Sequence, residues 1–333
     1  MVSRLARVKG PRPGRFAVGV LRMGFFARAI STPPGRPGCI ALIALWALVS
    51  ACGRESPDGY APQFADQPAA EVAEILFAVH PLHNPERLFA IYGPIVEHLG
   101  ANIPGIRFRL EASRNYAEFE KKLYARRFHF ALPNPYQTIK SLEHGYRVFG
   151  KMSDDEHFRG IILVRRDGGI NTVADLKGKS VSYPAPTALA ATMMPQYFLH
   201  THGLDVNRDI KNIYVGSQES SILNVYAGNV AAGATWPTPW MNFIKEQPEK
   251  ARELVVKWQT ETLPNNSLVA RDDLPPALVE QVAGLLFSLQ ATETGRRMLE
   301  RIPLSRFEPA TDKTYAPVRA YLKRFSAEVR PVE

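Results

Sequence analysis

Cysteine is nearly missing from this sequence: only Cys39 and Cys52 occur in 333 residues, and none follows position 52. The long remainder therefore has no disulfide, no thiolate nucleophile and no cysteine metal site. Acidic residues are missing from positions 1–51, which carry eight basic ones between Arg4 and Arg36. With those eight set aside, 33 basic residues face 32 acidic ones, so the body sits near +1 although the formal total is +9. The basicity belongs to a leader, and the body lacks the clustered positive charge that nucleic-acid binding needs. Also missing is an apolar run of the roughly 20 residues that span a bilayer comfortably. No G-x-x-x-x-G-K-[ST], G-x-S-x-G or H-E-x-x-H pattern occurs. Those absences remove the main sequence signs of phosphate-loop, serine-hydrolase and zinc-protease chemistry. No cofactor and no metal are expected, and the chain is not read as an enzyme.

What is present begins with the leader. Its basic stretch precedes CIALIALWALVSAC at 39–52, which has the length of a signal-peptide core and is followed by small residues. Val49-Ser50-Ala51-Cys52 resembles the lipobox of bacterial lipoproteins. That resemblance implies removal of residues 1–51 and lipidation of Cys52 as the mature N-terminus. The protein would then be a membrane-anchored lipoprotein facing the periplasm or the cell exterior. The basic stretch is long for a signal peptide, so Met23 is a candidate true start. Residues 52–73 are rich in Pro, Ala and small polar side chains, show no strand or helix period, and read as a flexible tether.

From Glu74 strands and helices alternate. EILFAV, IRFRLE, FHFALP, YRVFGKM and FRGIILVRR read as strands. PERLFAIYGPIVEHLG carries an apolar stripe at helical spacing, with Pro94 expected to kink it or to sit near its start. NYAEFEKKLYARR and PYQTIKSLEHG read as further helices. DGGINTVADLKGK breaks the pattern. A second alternation follows: SVSYP, a helix in ALAATMMPQYFLHTHG, IKNIYVG, a helix in SQESSILNVYAGN with Ser217 as N-cap, VAAGAT, and an aromatic turn WPTPW. RELVVKWQT and PNNSLVARDDL read as strands, and PPALVEQVAGLLFSLQATETGRRMLERI and TYAPVRAYLKRFSAEV as helical. Such βα alternation implies an α/β fold with parallel or mixed sheets flanked by helices. Two lobes are expected, 74–165 plus 266–333 and 166–265. Ligands in such folds sit at strand carboxyl ends, where helix N-termini also point.

The body resembles the periplasmic binding subunits of phosphate/phosphite/phosphonate ABC transporters. The matching stretches are RNYAEFEKKLYARRFHFALPNPY, ILVRRDGGINTVADLKGKSVSYPAPT, GSQESSILNVYAGNVAAGA and NNSLVARDDLPPALVEQV. The resemblance implies a type II two-lobed clamshell that closes on a ligand and docks on an ABC permease. It places Tyr116 as the aromatic cap from the first lobe, and Asn134, Pro135 and Tyr136 at a strand-end turn. The family's Ser-Thr-Ser-Gly run, which gives hydroxyls and N–H groups to phosphonate oxygens, falls on Ala188, Leu189, Ala190 and Ala191. Thr187 and Thr192 are the nearest hydroxyls. The family's His-Glu pair becomes Gln218-Glu219, and its Asp becomes Ala231. The helix start still offers backbone N–H groups to an anion. The lost hydroxyls favour a less charged anion or an amphiphilic ligand with a larger apolar part, for which Trp236 and Trp240 could line a pocket.

His80 and His83 in HPLHNP are read as loop or capping residues, and Asp-Asp-Glu-His at 154–157 as a solvated loop. Two other functions remain open at this point. One is a receptor that reports its ligand to a membrane signalling partner. The other is an enzyme of the pyrimidine-synthase-like branch of the fold, whose chemistry resembles His and Cys work that a cysteine-free body does not support.

Overall fold

The computed structural model describes residues 73–332. The leader, Met23, Cys52 and all but the last residue of the tether lie outside the described residues. The described residues belong to one compact unit.

The chain runs β1 (Ala73–Val79), α1 (Pro85–Asn102), β2 (Ile106–Glu111), α2 (Tyr116–Tyr124), β3 (Phe130–Leu132), α3 (Pro135–Leu142) and β4 (Tyr146–Met152). It continues with β5 (Arg159–Arg165), β6 (Ser180–Tyr183), α4 (Met194–Thr201), β7 (Lys211–Tyr214), α5 (Gln218–Tyr226), β8 (Ala232–Thr235), α6 (Pro237–Glu246), α7 (Pro248–Arg252) and β9 (Leu254–Thr262). It returns through β10 (Ser267–Arg271), α8 (Pro276–Phe287), α9 (Glu293–Glu300), β11 (Phe307–Pro309) and α10 (Ala316–Glu328).

Two mixed sheets result, ordered β11-β4-β10-β3-β1-β2 and β7-β6-β8-β5-β9. In the first, β2, β1 and β3 are parallel and β10 runs antiparallel to β3 and β4. In the second, β6 is parallel to β7 and β8, while β5 is antiparallel to β8 and β9. The chain crosses between the lobes after β4 and again after β9. β5 therefore stands in the second sheet, although the sequence reading set it in the first lobe.

Local chemistry explains the elements. The last five residues of β1 are buried, as suits a strand flanked on both sides. In α1 the Asn84 side chain accepts from Arg87 N–H at 2.9 Å, and Pro85 takes the first turn. Its stripe Leu88, Ile91, Tyr92, Ile95, Val96 and Leu99 is buried, each side chain contributing roughly 1.5–3 kcal/mol. Pro94 lies inside this helix and does not end it. It has no N–H for the Ala90 carbonyl, which instead accepts from Arg301 Nη1 of α9's C-terminal turn at 3.0 Å. β5 alternates: Ile162 and Val164 join the large core, and Ile161 and Leu163 join a smaller one with Ile222, Val225 and Phe243 on the sheet's other face.

One local expectation needs correction. WPTPW is not a turn alone: Trp236 stands at the N-cap position of α6 and Pro237 begins the helix. Between the C-terminal helices, in a stretch with no sequence assignment, Phe307–Pro309 pairs with β4 as an edge strand. Three residues are too few to show a strand period.

The crossings are stitched together. Asn265 Nδ2 donates to Ser153 O at 2.7 Å, and Asn265 N–H to Asp155 Oδ1 at 2.8 Å. The buried Lys151 ammonium lies 2.8 Å from Asp155 and 2.7 Å from Glu308. Asp154 Oδ2 accepts from Ser305 N–H at 2.8 Å. The 154–157 stretch is thus a partly exposed turn, as expected, whose Asp154 and Asp155 also brace the crossing. α10 starts in the first lobe and ends on the second: Tyr321 donates to Met193 O at 3.1 Å, and Arg330 Nη2 to Pro186 O at 2.7 Å.

Candidate functional site

β6 ends at Tyr183, and the chain turns into one π turn, Leu189–Met193, that continues as α4. Ala188 precedes it in an extended conformation and has no side chain to cap it. The first intrahelical bonds run from Thr192 and Met193 N–H to Ala188 O, at 2.8 and 3.2 Å. The N–H groups of Leu189, Ala190 and Ala191 precede those bonds and have no intrahelical partner. These residues and Ala188 border a small cavity between the lobes. A π turn at such a place is a recurrent mark of functional sites.

The first lobe and its crossing strands contribute His80, Tyr116, Asn134, Phe158 and Asn266 to this cavity, and the second contributes Gln218 and Trp236. Its volume is about 10 Å³, room for about one water molecule. Phe158 and Trp236, with ring centroids 5.6 Å apart, are the bulkiest part of its wall. At that volume a phosphonate does not fit, so any ligand needs the lobes to part.

Neutral dipoles cross the cleft floor. Thr235 Oγ1 donates to Gln218 Oε1 at 2.9 Å, and Gln218 Nε2 donates to Tyr116 Oη at 3.3 Å. Asn134 caps α3 through a capping box with Gln137, and its Nδ2 donates to Thr187 O at 3.1 Å. Thr187 Oγ1 donates at 2.5 Å to Glu120 Oε1, which also accepts from Gln137 Nε2 at 2.9 Å. Burial pushes the Glu120 carboxyl above its ordinary range, against those two hydrogen bonds. Burial also drives the pKa of His80 down to about 4, outweighing its hydrogen bond to Leu132 O, so the ring is neutral at pH 7.

Full charges sit at the rim. Arg87 of α1 makes a paired contact with Glu246 of α6, at 2.5 and 2.6 Å, and reaches Glu219 of α5 at 3.2 Å. His83 Nδ1 is 3.5 Å from Glu219 and makes no hydrogen bond. Burial lowers the pKa of His83 despite that carboxylate. Glu219 is held below its ordinary range first by the adjacent His83 ring and then by the Arg87 charge, against its own burial.

Of the residues singled out from sequence, the structure brings Tyr116, Asn134, Ala188, Gln218 and Trp236 to the cavity wall. Thr187 stands behind it, bonded to Glu120. Tyr136 is buried in the large core. Thr192 is fully buried, with its hydroxyl unpartnered, away from the wall. Glu219 belongs to the rim. Trp240 packs on Phe243 at 5.8 Å in the smaller core. His80, read as a loop or capping residue, is a wall residue instead. Sequence reasoning also missed Phe158, Asn266, Glu120 and Arg87. One signal was available for His80: it directly follows β1, and strand carboxyl ends are where such folds bind.

Among the described residues no helix is long and apolar enough to cross a membrane, and no group of three His, Cys, Asp or Glu could hold a metal. Residues 77–315 match the family model described as the periplasmic substrate-binding protein of phosphonate ABC transporters. The chain belongs to this family. The probable ABC transporter phosphite-binding protein PhnD1 of Prochlorococcus marinus (strain MIT 9301) is 22% identical over 181 residues, 50% of this chain and 61% of that one. The phosphonates-binding periplasmic protein of Escherichia coli (strain K12) is 24% identical over 164 residues, 48% of each chain. The chain thus spans about half to three-fifths of these curated relatives. The solved structure of PhnD1 from P. marinus, in complex with methylphosphonate, superposes with a TM-score of 0.70 at 17% identity, covering 76% of this chain and 98% of that one. The fold is the two-lobed type II periplasmic-binding fold, an α/β clamshell.

Proposed function

We propose that this phosphonate-family chain binds a small phosphonate-like oxyanion between its lobes and, once closed, presents it to an ABC permease. The observation that carries the reading is the uncapped helix start at Leu189–Ala191, opening into a cavity walled by both lobes. Free N–H groups at a helix start favour anions through hydrogen bonds and the helix dipole. Tyr116, Asn134, Ala188, Gln218 and Trp236 form the wall in this reading. Thr187, Thr192, Tyr136 and Glu219 support it from behind or from the rim. Binding works by shifting an open–closed equilibrium, and no covalent step is required.

Thermal melting of the full chain against phosphite, methylphosphonate, phosphate and alkanesulfonates tests this. A ligand at a hundred times its dissociation constant adds about 2.7 kcal/mol of stability. A raised midpoint with a phosphorus oxyanion is expected. Silence across the panel contradicts the reading. Lipid anchoring at Cys52 is part of the same proposal and rests on the Val-Ser-Ala-Cys sequence. Mass spectrometry of the mature N-terminal peptide should find a diacylated Cys52; an unmodified N-terminus elsewhere removes the anchor.

A further inference from the structure

The cavity wall carries both donors and acceptors. The N–H groups of Leu189, Ala190 and Ala191, without intrahelical partners, stand at the helix start. Two other wall residues, His80 and Asn266, carry acceptors. His80 Nδ1 lies 3.0 Å from Leu132 O. A carbonyl oxygen only accepts, so the proton is on Nδ1 and Nε2 carries a lone pair. Asn266, 1% exposed, sets Nδ2 against Met152 Sδ at 3.5 Å and leaves Oδ1 buried without a partner.

The surrounding charges point the same way. Among the described residues, no Lys or Arg borders the cavity. Arg87, at the rim, is already matched by Glu219 and Glu246. Glu120 sits one helical turn after Tyr116 and has no cationic partner among the described residues. A dianion would bring a second negative charge towards two lone pairs and an uncompensated carboxyl. A monoanion that keeps one proton can offer an O–H to one of those lone pairs.

Building on the oxyanion reading, we propose that the cleft selects a singly protonated oxyanion such as a hydrogen phosphonate or hydrogen phosphite. Its O–H donates to His80 Nε2, and its charged oxygens accept from the N–H groups of Leu189–Ala191. His80 is held as an acceptor because burial keeps it neutral above about pH 4. The groups around it are Tyr116 and Phe119 of α2, which meet its ring edge-on at 5.9 and 6.5 Å, and His83, itself neutral by burial. Glu120 and Glu219 are the remaining titrating groups near the cleft.

Calorimetric titration of the full chain with methylphosphonate and with phosphite, across a pH range spanning each ligand's second ionisation, tests the proposal. Affinity should be flat below that ionisation and fall about tenfold per pH unit above it, because only the protonated fraction binds. The break should move with the ligand, which a titrating protein group cannot make it do. Methanesulfonate, a monoanion with no proton to give, should bind at least about tenfold more weakly, as expected for one lost hydrogen bond to a charged ligand. His80→Phe keeps a ring against Tyr116 and Phe119 but removes the acceptor, and should bring methylphosphonate down towards the sulfonate. Affinity that rises with pH, a break common to both ligands, or equal sulfonate binding overturns the proposal. If no oxyanion binds at any pH, the underlying oxyanion reading falls, and this proposal with it.

Discussion

At the floor of the cleft, neutral groups cross between the lobes: Gln218 to Tyr116, and Asn134 to Thr187. At the rim, full charges cross: Arg87 to Glu219 and Glu246. On the oxyanion reading proposed above, the difference separates recognition from closure. A cation on the floor would bind an anion tightly in any geometry and blunt the choice among anions. Dipoles fixed by the fold discriminate by placement and need no counter-charge. The rim pairs lie where solvent screens them, so each is worth little and can break when the lobes part. Closure can then be reversible while the floor stays selective.

Four variants break or sharpen this contrast. The largest effect should come from the floor's aromatic wall. Trp236→Ala should destabilise the fold by about 3–5 kcal/mol in chemical denaturation, since a buried indole would leave a cavity. A loss below about 1 kcal/mol would mean the wall is not packed as described. Ala190→Ser returns one hydroxyl to the helix start. It should tighten oxyanion binding by about 1–1.5 kcal/mol, about five- to tenfold in a calorimetric Kd.

At the rim, Arg87→Ala should weaken ligand binding only about two- to fivefold, because the pairs are partly exposed. That loss should shrink as salt is raised, since screening already weakens the pair in the parent. A loss that ignores salt would move the effect of Arg87 from charge to packing. The smallest effect concerns Glu120. Its pKa in the fold is raised above the ordinary value of 4.5 by burial. The stability tied to its proton is thus fully present below about pH 4.5 and is lost as pH rises through the raised value. Glu120→Gln should melt higher than the parent at pH 7, with the gap closing as pH falls below about 4.5. The opposite trend would mean the carboxylate is favoured in the fold.

Much of the scaffold was legible in the sequence because its signals are local. The run in β1, the stripe in α1, and Asn134 or Ser217 before a helix each declare an element within a few residues. What stayed hidden depends on partners far along the chain. Arg301 takes the carbonyl that Pro94 frees, 211 residues away, so nothing near Pro94 shows that the helix continues. Glu120 looks like one more exposed acid of an amphipathic helix until Thr187 of the other lobe reaches it. His80 and Asn266 acquire meaning only when β1 and β10 enter the same sheet. The resemblance indicated which stretches form the site. It gave no hint that Phe158 would meet Trp236 in the cavity wall.

The central claim is that the start of the Leu189–Thr201 helix is the anion-binding element. Ala190→Asp tests it most directly. A carboxylate in a helix's first turn suits the dipole, so the variant should keep its fold and most of its melting temperature. It should also occupy the N–H groups and repel an incoming anion. Calorimetry with the oxyanion that stabilises the parent should show affinity falling by at least about a hundredfold, or about 2.7 kcal/mol. Binding that survives in a folded Ala190→Asp protein would place the ligand elsewhere and contradict the account.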